Sequence, residues 1–185
     1  MKFLSTWHLS DSVAEIIPKR LEDDRGFFSE VYQENEFKKI GISEYFMQEN
    51  HSFSKKKFTF RGLHLQKPPY EQAKLVRVIQ GSILDIAIDL RVSSPSYLQH
   101  IKINLSALNF NQLYIPAGFA HGFLTLEDDC EVVYKVSSPY NHESDVSISA
   151  FDEDFQIELP CPNSEIIFSE KDANGQSWRS VGEIF

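Results

Sequence analysis

The stretch Ile83-Leu84-Asp85-Ile86-Ala87-Ile88-Asp89-Leu90 carries the clearest two-residue periodicity in the chain. Successive side chains of an extended strand point to opposite faces, so Leu84, Ile86, Ile88 and Leu90 share one face and Asp85, Ala87 and Asp89 the other. This is a strand with one apolar face and one face that bears carboxylates. The same period continues outward. Residues 99–105 set Ile101, Ile103 and Leu105 against His100, Lys102 and Asn104, and residues 130–136 group Cys130, Val132, Tyr134 and Val136 against Glu131, Val133 and Lys135. Tyr134 thus points with small apolar residues, which places its hydroxyl inside. Further strands are expected at 14–19, 27–33, 58–66, 74–79, 112–115 and 122–126. Helical patterning is scarce, with one short helix expected at 34–40 and stopped by Gly41, since glycine is favoured just past a helix end. Many short strands predict an all-β sandwich or barrel of the jelly-roll kind, and the missing helices exclude parallel α/β folds.

A length of 185 residues without repeats or linkers predicts one domain over 1–185. Hydrophobic residues make up 42% and charged residues 24%, which excludes a disordered chain or a membrane protein. Eighteen Lys and Arg against 27 Asp and Glu give a net charge of -9, which argues against wholesale binding of nucleic acid or anionic membrane. An anionic ligand therefore needs a local basic pocket. Cys130 and Cys161 are the only cysteines, and the first residues lack the apolar core of a signal peptide, so the reducing cytoplasm is the expected compartment.

Six histidines raise the question of a metal. His64 stands in Arg61-Gly62-Leu63-His64-Leu65-Gln66 and His121 in Pro116-Ala117-Gly118-Phe119-Ala120-His121, and these stretches resemble the two halves of the cupin barrel signature. Metal-binding cupins carry a second histidine and a carboxylate where this chain has Gln66 and Lys74. An ammonium has no lone pair to offer a cation, so no metal is expected. An imidazole, a cation and an inward phenol instead suit proton abstraction beside a carbonyl. His64 can accept a proton near neutral pH. Lys74 could neutralise the enolate oxygen, a kind of preorganised contact worth roughly 3 to 4 kcal/mol. Tyr134 could return a proton from the opposite face, inverting the carbon with no cofactor. From spacing alone, His64 reads equally as a satisfied core histidine and Lys74 as a surface cation.

Longer blocks carry a second resemblance. Arg61-Gly62-Leu63-His64-Leu65-Gln66-Lys67-Pro68-Pro69, Gln72-Ala73-Lys74-Leu75-Val76-Arg77-Val78, and Asp89-Leu90-Arg91 with Ser93-Ser94-Pro95 resemble the dTDP-4-dehydrorhamnose 3,5-epimerase family. So do Asp24-Arg25-Gly26-Phe27-Phe28-Ser29-Glu30, Gln48-Glu49-Asn50-His51-Ser52, Ile115-Pro116-Ala117-Gly118-Phe119-Ala120-His121-Gly122-Phe123, Tyr134-Lys135 and Ser169-Glu170-Lys171-Asp172. The resemblance covers nearly the whole chain and implies a cupin-type jelly roll with a few short helices. It implies an isomerase that inverts carbons 3 and 5 of a nucleotide-linked 4-keto-6-deoxyhexose, without metal or redox cofactor, as a homodimer in which an N-terminal stretch helps build the neighbouring site.

Carried over residue by residue, the resemblance makes His64 the base and Asp172 the carboxylate that orients it. Tyr134 becomes the general acid, Lys74 the residue beside the keto oxygen, and Arg61 a contact to sugar or phosphate. Arg25 and Lys171 become cationic contacts to the nucleotide, Glu30, Gln48 and Asn50 hydrogen-bonding partners, and Phe28 and Tyr140 the rings that pack on the base. His121 and Asp85 form a second hydrogen-bonded pair or stand as structural groups. The chain departs from the family at Ser137-Ser138-Pro139-Tyr140, where Pro139 replaces an aromatic, and at the acidic substrate contact, where Asp145 competes with Glu143. Inversion at carbon 3 alone, a CDP-, GDP- or UDP-linked sugar, and a non-catalytic sugar-nucleotide binding module are the alternatives.

Overall fold

The computed structural model describes residues 2–185. In chain order the strands are β1 (Phe3–His8), β2 (Val13–Pro18), β3 (Leu21–Asp23), β4 (Gly26–Phe28), β5 (Gln48–Ser54), β6 (Phe60–Gln66), β7 (Lys74–Gln80), β8 (Ser82–Asp89), β9 (His100–Ser106), β10 (Gln112–Ile115), β11 (Phe119–Thr125), β12 (Cys130–Val136) and β13 (Asp145–Ser147). Helix α1 (Glu34–Lys39) precedes β5, and the short helices α2 (Glu170–Ala173) and α3 (Trp178–Val181) close the chain. A six-stranded sheet, ordered β1-β2-β10-β7-β12-β5, faces a five-stranded sheet, ordered β13-β6-β11-β8-β9. Pairing within both is antiparallel. This is the cupin-like jelly roll that the alternating strands predict.

Three apolar layers hold it together. Val76, Val78, Ile83, Ala87, Leu113, Phe123 and Val132 fill the space between the sheets. Leu63, Ile86, Ile88 and Ile148 on the outer face of the five-stranded sheet are covered by Phe155 and Trp178 from the C-terminal segment. On the other side, Ile16, Leu75 and Tyr114 are covered by Phe37 of α1 and Ile42. Each buried Val, Leu, Ile or Phe among them contributes roughly 1.5 to 3 kcal/mol over its exposed state. The face of β8 that bears carboxylates is therefore not turned to water. Asp85 and Asp89 are both fully buried, and each is satisfied. Asp85 meets His121, while Asp89 accepts from Arg91, Ser94 and Ser96 at 2.5–2.8 Å.

Strands β10 and β12 coincide with the expected spans, β2, β6, β7, β8 and β9 agree to within two residues, and β1, β3, β5 and β13 have no expected counterpart. The strand expected at 27–33 stops at Phe28. Beyond it the chain turns toward α1, where the Gln33 side chain caps the helix by accepting the Glu36 N–H at 2.6 Å. The strand expected from 122 begins at Phe119, directly after a turn that Gly118 makes at φ +87°. Strand β5 was not expected, because Gln48, Asn50 and Ser52 lack the apolar alternation of a core strand.

Candidate active site

The residues that could carry chemistry converge between the sheets. Strand β6 supplies Arg61 and His64, β11 supplies His121, and the pair register sets His121 directly opposite His64. That close approach depends on Gly62. A Cβ there would lie 2.6 Å from the Gly122 Cα and 2.8 Å from the His121 carbonyl oxygen. From the facing sheet come Lys74 at the start of β7, Tyr134 on β12 and, opposite Tyr134, Asn50 on β5. Helix α2, capped by Ser169 through the Asp172 N–H at 3.1 Å, brings in Lys171 and Asp172.

These groups line a cavity of about 360 Å³, whose wall includes Ser52, Arg61, His64, Lys74, His121, Tyr134 and Asp172. A second lobe of about 180 Å³ shares His64, Lys74, Tyr134 and Lys171 with it and adds Gln48, Asn50, Tyr140 and Asp145. One cleft with two ends suits a ligand with two parts.

His64 Nε2 meets Asp172 Oδ1 at 2.6 Å, and the other carboxylate oxygen accepts the Gly62 N–H at 3.3 Å. Burial alone would raise the Asp172 carboxyl, but the hydrogen bond and charge of His64, with help from Gly62 and Ser169, hold it below the usual range. Asp172 is therefore a carboxylate at neutral pH. The proton between the two residues sits on His64 Nε2, which leaves the Nδ1 lone pair as the basic atom. His121 Nε2 lies 2.9 and 3.1 Å from the two oxygens of Asp85. Burial drives the His121 imidazole down, more than Asp85 raises it, so it stays neutral.

Lys74 is only 7% exposed, and its ammonium donates to the His64 carbonyl oxygen at 3.3 Å. Burial lowers it to about 8, opposed by Asp85 and Asp145 and assisted by Lys171. Burial likewise pushes the Tyr134 phenol up, against Asn50 and the Arg61 charge, so it holds its proton through neutral pH. In the second lobe the Tyr140 hydroxyl donates to Asp145 at 3.0 Å, and Lys171 pairs with the same carboxylate. Glu143, the competitor of Asp145, is exposed and lines neither lobe. Gln48 donates to Asn50 at 2.8 Å, and Arg61 is steadied by the Ser54 hydroxyl at 2.9 Å and the Phe53 carbonyl at 2.8 Å.

Three residues grouped with the site by sequence do not reach it within this chain. Arg25 pairs with Asp23 at the tip of the β3–β4 hairpin, with its side chain 90% exposed, and Phe28 on the same hairpin is 65% exposed. Glu30 pairs instead with Lys2. None of the three lines either lobe. Ser52, by contrast, was not singled out, although it shares its strand face with Gln48 and Asn50. Its hydroxyl is buried in the cavity with no partner among the described residues. Gln66 is likewise a buried residue on the cleft wall. Phe168 and Ser169 join the wall from the segment before α2, where no periodicity signals them.

Comparison with known proteins bears on this geometry. The family model described as dTDP-4-dehydrorhamnose 3,5-epimerase matches residues 8–180. The dTDP-4-dehydrorhamnose 3,5-epimerase of Shigella flexneri is 44% identical over 162 residues, 87% of this chain and 88% of the relative. The structure of the Bacillus anthracis str. Ames enzyme of the same name, with TDP and PPi bound, superposes with a TM-score of 0.91 at 37% identity, covering 95% of this chain and 99% of that one. The dTDP-6-deoxy-D-glucose-3,5-epimerase of Legionella pneumophila Philadelphia 1, in complex with dTDP-4-keto-L-rhamnose, also gives 0.91, at 35% identity over 97% of this chain and 95% of that one.

Proposed function

The chain belongs to the dTDP-4-dehydrorhamnose 3,5-epimerase family and is an isomerase, and from that premise we propose that it inverts carbons 3 and 5 of dTDP-4-dehydro-6-deoxyglucose to give dTDP-4-dehydrorhamnose. The observation that carries this reading is the placement of base and acid on opposing sheets. His64 stands on β6 of one sheet and Tyr134 on β12 of the other, and both line the same cavity. A sugar ring held between them offers one face to each.

His64 Nδ1 takes the proton from a carbon beside the C4 ketone, and the C–H bonding pair moves into an enolate. Asp172 stabilises the imidazolium that forms, and the Lys74 ammonium faces the negative oxygen. Tyr134 then gives its proton to the opposite face of the carbon. His64 returns its proton to solvent and the Tyr134 phenolate regains one. A proton leaves and a proton arrives at each carbon with no change in oxidation, so the cycle balances without a cofactor. In the second lobe Gln48, Asn50 and Asp145 would hydrogen-bond the nucleotide, Lys171 would meet the phosphates and Tyr140 would pack on the base, while Arg61 and His121, on the wall of the first lobe, would meet phosphate and sugar.

We assign Arg25, Phe28 and Glu30 to the site of a second copy, in a homodimer. The exposed β3–β4 hairpin that carries Arg25 and Phe28 supports this, with Leu21 and Phe28 largely open to solvent. Co-expressing Arg25→Ala and His64→Ala chains would then restore one intact site per mixed dimer; a mixture as inactive as either parent removes the assignment. Residues 1–185 act as one such epimerase unit. Cytoplasmic residence fits the two free thiols of Cys130 and Cys161, and the described residues contain no helix long and apolar enough to cross a membrane; recovery of the protein outside the cytoplasmic fraction would overturn it.

The deciding experiment is incubation with the substrate in heavy water. Deuterium at carbons 3 and 5 is expected, and none with His64→Ala. Label at carbon 3 alone would reduce the activity to a single inversion, and an unlabelled sugar would remove it.

A further inference from the structure

The loop between β12 and β13 carries Tyr140 to the second lobe, and one buried side chain grips it on both sides of that tyrosine. Gln66, at the end of β6, is 4% exposed. Its amide nitrogen donates to the Pro139 carbonyl at 3.1 Å and the Tyr70 carbonyl at 2.6 Å, and its oxygen accepts the Asn141 N–H at 2.7 Å. Both donors and the acceptor are thus spent on backbone, two of the three on the residues that flank Tyr140. The surroundings repeat the pattern. Gln72 donates to the Ser138 carbonyl at 2.8 Å, and the Ser137 hydroxyl accepts the Ala73 N–H at 2.8 Å. Beyond Tyr140, the Lys67 N–H reaches the Ser144 carbonyl at 2.8 Å. Tyr140 is mostly exposed, and its hydrogen bond among the described residues runs from its hydroxyl to Asp145. Its position is therefore set through the peptide groups on either side of it.

We propose that Gln66 is a positioning residue for substrate affinity: by clamping the Pro139 carbonyl and the Asn141 amide it holds Tyr140 where the nucleotide base packs, and it takes no part in proton transfer. This rests on the reading that Tyr140 packs on the base. No other standard side chain of this size offers two donors and an acceptor on one planar group. Removing them takes the side-chain partner from the part-buried peptide groups of Tyr70, Pro139 and Asn141, and the loop is then free to shift as those groups turn to water. A stacking ring displaced by about 1 Å loses its contact while the His64–Asp172 pair stays in place.

The test compares Gln66→Met, Tyr140→Ala and the double variant. Calorimetric titration with dTDP, together with steady-state kinetics on the nucleotide sugar, should show affinity and KM about tenfold weaker in Gln66→Met, with kcat within about threefold of the parent. The double variant should bind dTDP no more weakly than Tyr140→Ala alone. If Tyr140→Ala leaves dTDP affinity unchanged, the packing of Tyr140 on the base fails, and the clamp loses its object. If Tyr140→Ala weakens binding but Gln66→Met does not, or lowers kcat as much as it raises KM, or adds its full effect to Tyr140→Ala, the clamp fails alone. Hydrogen exchange on the unaltered protein tests the same idea without a variant: the Asn141 amide should be protected, and exchange at the rate of an open loop would overturn the proposal.

Discussion

Replacing Asp172 with asparagine should slow proton abstraction severely while leaving the site nearly isosteric, and the structure indicates how severely. The carboxylate accepts on both oxygens, from His64 Nε2 at 2.6 Å and the Ser147 hydroxyl at 3.4 Å on one and from the Gly62 N–H on the other. Gly62 N–H is a fixed donor at 3.3 Å and needs an oxygen, so in Asp172→Asn the amide oxygen turns to Gly62 and the NH2 group turns to His64. An NH2 facing Nε2 requires a lone pair there, which moves the imidazole proton to Nδ1 and removes the proposed base. Losing a charge-assisted bond alone costs roughly 1.5 to 3 kcal/mol. At about 1.4 kcal/mol per tenfold, that is a slowing of about tenfold to about 150-fold. The tautomer change adds to this, and comparable errors in Ser-His-Asp triads reach about 10⁴-fold. The expected result is at least about 100-fold slower deuterium wash-in at both carbons 3 and 5, followed by proton NMR under saturating substrate. KM should change far less, and circular dichroism should show the variant folded at the assay temperature. Wash-in within threefold of the parent at either carbon, in a folded variant, would refute the assignment of Asp172 as the partner of the base.

Tyr134→Phe should keep wash-in at the first carbon but lose inversion by about 10²-fold or more, the usual worth of a placed general acid; full inversion in the product spectrum would take Tyr134 out of its role. The pH dependence follows from Lys74, lowered to about 8 by burial. A depressed amine loses its charge as pH rises through that value, so kcat should fall above pH about 8, and Lys74→Gln, slower throughout, should show no such descent. The same shift acts on stability. Between about 8 and the ordinary lysine value the unfolded chain holds the extra proton, so Lys74 makes stability rise with pH across that window, a slope that denaturant titrations of the parent and Lys74→Gln can compare. Ser52→Ala should lower kcat/KM by about tenfold if its buried hydroxyl pairs with the sugar, and unchanged kinetics would leave it a wall residue only.

How far the sequence reaches depends on what each element does. Strands β8 and β12 were legible because a core imposes strict alternation, and the same alternation turned Tyr134 inward. The metal reading failed at Lys74 for a chemical reason that needs no coordinates. Asp172 was not legible from pattern. It lies 108 residues from His64 on a four-residue helix, too short for any periodicity, and only the family blocks pointed to it. Strand β5 escaped because its inward face lines a polar cleft, so Gln48, Asn50 and Ser52 point in while its one apolar side chain, Phe53, points out. The β3–β4 hairpin escaped in a different way. Its residues matched the family blocks, yet pattern alone could not tell that they would stand away from the cavity of their own chain.

Strand β8 separates two apolar compartments, the space between the sheets and the layer roofed by the C-terminal segment. The number of a residue along it therefore sorts what a substitution does. Ile83, Asp85 and Ala87 face the compartment that contains the cleft, with Asp85 on His121, whereas Leu84, Ile86 and Ile88 face the roof. Even-numbered changes such as Ile88→Val would be felt as stability, and odd-numbered ones such as Ala87→Val would press toward His121 and the sugar. Adjacent residues on one strand thus offer separate handles, one for robustness and one for the shape of the reaction chamber.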